Sequence, residues 1–160
     1  MFSNLEIFLD KFMGNLKEAG VDVSGLSMDH VGYKTNSLKE YEQIMPRMKK
    51  TGKLVKENTV RDRKVAFFKL DHPIIYKQYT IPAAELIAPK EGETVRFGWE
   101  HAELVIPESF ESFMAKYPKL TWDTSVMNSD LFSMVKLKLG DNMQAKFHLM
   151  PVLEIIEKEK

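Results

Sequence analysis

In Gly98-Trp99-Glu100-His101-Ala102-Glu103-Leu104-Val105-Ile106-Pro107, a short strand-like run mixes apolar residues with His101 and two glutamates before a proline stops it. That pattern predicts a strand. Successive side chains on a strand point to opposite faces, so His101, Glu103 and Val105 share one face and Ala102, Leu104 and Ile106 the other. A second segment of this kind, Met28-Asp29-His30-Val31-Gly32-Tyr33-Lys34, predicts a strand over 29–35 with His30, Gly32 and Lys34 on one face. His30 and His101 are 71 residues apart, and the glycine leaves room beside an imidazole. A third histidine lies in Ala145-Lys146-Phe147-His148-Leu149, also strand-like. Neutral imidazole is the commonest metal ligand, so three of the four histidines on strands point to one shared metal cavity.

Outward from these strands the order of elements repeats. The first pass has the strand at 29–35, then a helix that Ser37 caps with Glu40 three residues on, closed by Gly52. Strands follow at 53–60, 64–70 and 79–88. Pro46 falls inside the helix, where a proline costs about 3 kcal/mol, and predicts a kink or split. The second pass has the strand at 99–106, a helix over 108–117 between Pro107 and Pro118, and strands at 120–127, 131–139 and 144–150. Gly140-Asp141-Asn142 makes the last turn, and Pro89 to Phe97 links the halves. Ahead of both, Leu5, Phe8, Leu9, Phe12, Met13 and Leu16 give residues 4–19 the spacing of an amphipathic packing helix ended by Gly20. Val152-Leu153-Glu154-Ile155-Ile156 reads as a short terminal helix before a frayed Lys158-Glu159-Lys160. The fold expected is α+β: two βαβββ modules, about 27–90 and 98–151, forming a cupped mixed sheet in one domain of 160 residues.

Lys and Arg balance Asp and Glu at 23 each, which leaves no global basic surplus for nucleic acid. No apolar run approaches the roughly 20 residues that span a bilayer, and no signal peptide opens the chain. A cytoplasmic protein is expected. The chain has no cysteine, so disulfides, thiolate nucleophiles and Cys-ligated metals are excluded and His and carboxylate remain as donors. Ten methionines and ten phenylalanines read as adaptable core packing.

Ala83-Ala84-Glu85-Leu86-Ile87 closes the first half as Lys146-Phe147-His148-Leu149-Met150 closes the second, which makes Glu85 and His148 counterparts. The expected donor set is then His30, Glu85, His101 and His148, suited to Zn, Fe(II), Ni or Mn. Glu103 is expected either to move a proton as general base or to orient an imidazole. Lys34 and Lys146 share faces with ligands and are either solvated or able to meet an anionic substrate. His72, in Asp71-His72-Pro73, is expected in an exposed turn.

This arrangement resembles the vicinal oxygen chelate superfamily, which includes glyoxalase I, extradiol dioxygenases and bleomycin or fosfomycin resistance proteins. More narrowly, Asp29-His30, the run Gly98 to Pro107, and Lys146-Phe147-His148 before an acidic C-terminal segment are similar to the bacterial YecM family. The resemblance implies a cupped sheet around a divalent ion that chelates two adjacent substrate oxygens. It implies ligands at His30, Glu85, His101 and His148, and homodimers are common among such proteins. Enzymes of the superfamily usually carry glutamate on the last strand where this chain has His148, so their activities do not transfer directly. The function expected is a metal-dependent lyase, isomerase or oxidoreductase acting on a small oxygenated molecule through Lewis-acid catalysis. The alternatives are a cup that sequesters a small ligand without chemistry, and histidines that are structural.

Overall fold

The computed structural model describes residues 2–93, 96–130 and 132–160. Thr94 and Val95 of the expected link, and Leu131 at the start of an expected strand, lie outside the described residues. The chain opens with α1 (Leu5–Glu18), which buries Leu5, Phe8, Leu9, Phe12 and Leu16. It ends in a left-handed Gly20 (φ 79°), with the Val21 N–H donating to the Leu16 carbonyl and the Gly20 N–H to that of Lys17. This is the double hydrogen bond that lets a glycine stop a helix.

Module one comprises β1 (Ser27–Lys34), α2 (Leu38–Met48), β2 (Gly52–Val60), β3 (Arg63–Tyr76) and β4 (Tyr79–Ile87). Module two comprises β5 (Gly98–Val105), α3 (Phe110–Ala115), β6 (Trp122–Asp123), β7 (Val135–Lys138), a 3₁₀ turn at Gly140–Asn142 and β8 (Gln144–His148), after which α4 (Val152–Lys158) ends the chain. The eight strands form one open mixed sheet in the order β2-β3-β4-β1-β5-β8-β7-β6. Within each module the first and last strands pair in parallel, β1 with β4 and β5 with β8, and β1 meets β5 antiparallel at the centre. Two modules therefore face each other across a pseudo-twofold axis between β1 and β5.

One face of the sheet carries Val31, Ala84, Leu86, Ala102, Leu104, Ala145 and Phe147 under α1, α2 and α3. Fully burying each large side chain there, such as Phe12 or Leu104, contributes about 1.5–3 kcal/mol. The other face holds the histidines, and beside them Val65, Phe67, Ala83 and Ile87 pack against Val152 and Ile156 of α4. No described helix is long and apolar enough to cross a membrane.

The strand expected at 131–139 is shorter, Val135–Lys138, as is the helix expected over 108–117, Phe110–Ala115, and four further departures have a local cause. Helix α2 runs unsplit through Pro46, which lies exposed near the end of the helix. Strand β3 extends to Tyr76, because the pairing breaks between Lys69 and Ile74 and absorbs Asp71-His72-Pro73 as an irregularity, since Pro73 has no N–H to give a ladder. His72 is exposed as expected, but in this strand rather than in a turn. Strand β6 is cut to Trp122–Asp123 because the Asp123 carboxylate accepts the Ser125 N–H (2.9 Å) and turns the chain. Helix α4 continues through Lys158, where Lys56 pairs with Glu159 and ties its end to β2.

Candidate metal centre

Two β-bulges on the central strand pair build the site. The β1–β5 register passes from Met28↔Leu104 to His30↔Glu103, leaving Asp29 unpaired, and from Gly32↔His101 to Tyr33↔Trp99, leaving Glu100 unpaired. A bulge re-aims a side chain. Here it turns each acidic residue to the same side as the histidine that follows it, so Asp29-His30 and Glu100-His101 enter one cavity as equivalent pairs. All four residues are buried.

The His30 ring is held through Nδ1, which donates to Asp29 Oδ2 (2.7 Å); that oxygen also accepts the Val152 backbone N–H (3.0 Å). A carboxylate on one ring nitrogen fixes the tautomer and frees the other. His30 Nε2 accordingly faces Glu103 Oε1 at 3.3 Å and Glu85 Oε2 at 3.5 Å. From across the axis, His101 Nε2 lies 2.7 Å from Glu85 Oε2 and 3.6 Å from Glu103 Oε1. Donor atoms of His30, Glu85, His101 and Glu103 all fall within 4.8 Å of one another.

Of the expected donors, the structure brings His30, Glu85 and His101 together and adds Glu103. His148 stands on the far side of His30, its Nε2 3.3 Å from Asp29 Oδ2 and 3.6 Å from Glu103 Oε2, in a second group with Asp29 and His30. The register gives the reason. Glu85 lies opposite Gly32, two residues after His30, and the residue opposite Glu103, two after His101, is Lys146. The counterpart of Glu85 is thus Lys146 rather than His148, and module two supplies its carboxylate from β5, where module one has Gly32.

Gly32 is required by its neighbour across the axis. A Cβ there would lie 2.0 Å from His101 Cε1 and 2.3 Å from its Nε2. The space that the sequence assigned to His30 is occupied by the other imidazole.

The cavity is dense in charge. Burial alone pushes the His30 imidazole down, but the charge of Glu103, the hydrogen bond to Asp29 and the nearby carboxylate oxygens of Glu103 and Glu85 outweigh it and hold it well above the usual histidine value. Burial and the Lys146 charge depress His101, yet Glu85 and Glu100 raise it overall. Burial pushes Glu103 up, and the charge and hydrogen bond of His30, with Lys146 and His148, bring it down to about 2. Glu100 is likewise held at about 2 against burial, chiefly by His101. Asp29 and Glu85 are lowered for the same reason, through His148 and His30 in one case and His101 in the other.

The donor set fits a divalent ion on three counts. For bonds of about 2.1 Å, neighbouring donors lie about 3.0 Å apart in an octahedral shell and about 3.4 Å in a tetrahedral one, and the four edges above run from 2.7 to 3.6 Å. The buried side-chain atoms without a hydrogen-bond partner among the described residues are His30 Nε2, Glu100 Oε2, His101 Nδ1, Glu103 Oε2 and both nitrogens of His148, with only Trp122 Nε1 elsewhere. Such orphans are costly in a protein interior, and a bound ion is one of the few explanations for several together. Five carboxylates at the site and its rim (Asp29, Glu85, Glu93, Glu100, Glu103) face three cations (Lys34, Arg63, Lys146). With both imidazoles neutral, as metal ligation requires, the excess of two negative charges is what one divalent cation would supply in place of the two protons.

Asp29 and Glu100 were missed as site residues by strict alternation. Their signal was the acidic residue before each histidine.

The YecM protein family model matches residues 1–151. A Haemophilus influenzae uncharacterized protein is 30% identical over 105 residues, covering 66% of this chain and 55% of that protein. Protein YecM of Escherichia coli is 26% identical over 114 residues, covering 71% and 61% respectively. The chain thus spans a little over half the length of these curated relatives. Among solved structures, a structural-genomics protein described as Protein EC4020 superposes with a TM-score of 0.78 at 23% identity, over 99% of this chain and 90% of its own. Streptomyces coelicolor methylmalonyl-CoA epimerase, in complex with 2-nitronate-propionyl-CoA, reaches 0.51 at 11% identity, over 76% and 96%. At such identities the likeness is one of fold.

Proposed function

The chain belongs to the YecM protein family, and from that premise we propose that it is a divalent-metal protein acting on a small oxygenated molecule, with His30, Glu85, His101 and Glu103 as the metal donors. The observation that carries this reading is the quartet of buried donor atoms lying within 4.8 Å of one another, with His30 Nε2 among them left without a hydrogen-bond partner among the described residues. Zn, Fe(II), Ni and Mn all suit two imidazoles and two carboxylates. Held there, the ion would supply Lewis acidity toward two adjacent oxygens of a substrate.

The chain's own residues do the positioning. Asp29 Oδ2 keeps the proton on His30 Nδ1, so that Nε2 presents its lone pair. The edge of Phe67 abuts the His30 ring (centroids 5.8 Å apart), and Phe132 stacks on Phe67 at 5.6 Å, which keeps water from that side. Glu103 serves as a donor through Oε1, with Oε2 left toward His148. His148 then belongs to the surrounding layer, beside Asp29. Isomerase, lyase and oxidoreductase chemistry all use this kind of chelate, and the substrate decides among them.

A second reading, a non-catalytic cup that sequesters a small ligand, is favoured by the near-complete burial of all four donors. Calorimetric titration of the metal-free protein with Zn, Co, Ni and Mn tests the donor set. Binding at one site per chain, abolished by His101→Ala and retained by His148→Ala, is expected. Equal loss in both variants would return His148 to the set, and no binding in the wild type would sink the metal reading. Turnover of hydroxyketones, hydroxyacids or diols by the loaded protein then separates enzyme from binder.

A further inference from the structure

The pseudo-twofold axis places Lys146 where a fourth-strand carboxylate stands in module one. An ammonium does not ligate a cation, and His148, further along β8, groups with Asp29 and His30 instead, so β8 contributes no donor to the quartet. Lys146 also differs from the other lysine of the cup. Lys34 is neutralised in place, its Nζ 3.1 Å from Glu93 Oε1 and 3.2 Å from Glu100 Oε2. Lys146 Nζ makes no hydrogen bond among the described residues; Glu103 Oε1 stands 3.6 Å away. The Lys146 side chain is 16% exposed, while those of His30, His101, Glu103 and Glu85 are 0–8% exposed, so the ammonium is the more accessible group at this edge of the site.

We propose that Lys146 anchors the substrate and that the substrate is a small carboxylate bearing an adjacent oxygen, such as a 2-hydroxy or 2-oxo acid. One oxygen of such an anion fills the position beside Lys146, where β8 gives the quartet no donor, and its charge meets the ammonium, which makes an ion pair with Glu103 but no hydrogen bond among the described residues. On the opposite flank, α4 and the stacked Phe67 and Phe132 fill the space above β3 and β4, which limits the anion to a few atoms. A charged pair at a desolvated site is worth far more than one on a surface, and Lys146 becomes a specificity-determining residue.

This rests on the metal reading above, and the test keeps the two apart. Protein loaded with Co(II) is titrated with glycolate, with ethylene glycol, which has the same adjacent oxygens without charge, and with acetate, which has the charge without the hydroxyl. The readouts are the visible absorption of the bound cobalt and, independently, calorimetry. Glycolate is expected to bind wild type at least about tenfold tighter than either analogue. Lys146→Met is expected to lose about tenfold or more toward glycolate, to leave ethylene glycol unchanged and to keep its cobalt; Lys146→Arg is expected to recover most of the glycolate affinity. Equal glycolate binding by Lys146→Met and wild type, or equal losses for glycolate and the diol, would overturn the proposal while leaving the metal site standing. Should Lys146→Met not fold, the wild type decides: glycolate bound no better than the diol overturns the proposal. Absence of a cobalt spectrum in the wild type overturns the metal reading itself and this inference with it.

Discussion

Gly32→Ala is the substitution whose consequence follows most directly from the coordinates. The glycine has no positive φ, so alanine's backbone fits, and the objection is wholly steric. The added Cβ would lie 2.0 Å from His101 Cε1, 2.3 Å from Nε2 and 2.6 Å from Nδ1, where ordinary contact starts at 3.4 Å. The imidazole would have to retreat by about 1.4 Å, whereas metal–donor distances tolerate only about 0.2 Å. Its ring is fully buried, so the retreat compresses other packing at about 1–3 kcal/mol. At about 2–4 °C per kcal/mol for a chain of this size, the metal-free melting temperature should fall by about 2–12 °C. Metal affinity should fall by at least the roughly 10–100-fold seen when a ligand's supporting contacts are disturbed. Thermal melts and metal titrations of Gly32→Ala, His101→Ala and the double variant complete a cycle. In the His101→Ala background the methyl enters vacated space, so Gly32→Ala should cost little there. An equal cost in both backgrounds, or wild-type metal affinity in Gly32→Ala, would refute the reasoning.

Other consequences concern protons, the imidazole tautomer and the covering helix. His30 and His101 are raised above the ordinary value near 6.5, so their contribution to metal-free stability is full below that value and is lost as pH rises through the raised ones. Glu100 and Glu103, held at about 2, contribute above about 4.5 and lose it as pH falls toward 2. The metal-free melting temperature should therefore decline above about pH 6.5, while stabilisation by added zinc grows over the same range because ion and protons compete for imidazole nitrogens; a flat metal-free profile in melts from pH 5.5 to 8.5 would contradict this. Asp29→Asn should weaken metal binding about 10–100-fold with little change in the other donors, and undiminished affinity by calorimetry would show that Asp29 does not orient His30. Ile156→Ala, which empties a buried position of α4 against the cup, should cost about 2–5 kcal/mol in denaturant melts; a cost below 1 kcal/mol would mean that the helix is not packed there.

The repeat made much of this centre legible in the sequence. His30 and His101 open equivalent strands, their faces follow from alternation, and Glu85 falls on the cavity side of β4. Alternation also hid what it could not describe: each bulge turns an acidic residue inward next to its histidine, and neither Asp29 nor Glu100 is distinguishable from an outward-facing residue until the register is known. The pairing of Glu85 with His148 failed for a related reason, because matching strand ends does not fix register, and a two-residue step exchanges His148 for Lys146. Glu103 was visible on the right face, but its approach to His30 depends on the antiparallel β1–β5 pairing across the axis. Helix α4 was legible as a helix from its apolar run; its place over Val65, Phe67 and Ile87 is a tertiary fact.

The central claim is that the buried quartet holds a divalent ion, and elemental analysis of the protein purified without an affinity tag tests it most directly. One divalent ion per chain in the wild type, lost in His101→Ala, is the predicted result. A wild type that carries no stoichiometric ion, and gains no thermal stability when zinc, cobalt, nickel or manganese is added, would contradict it.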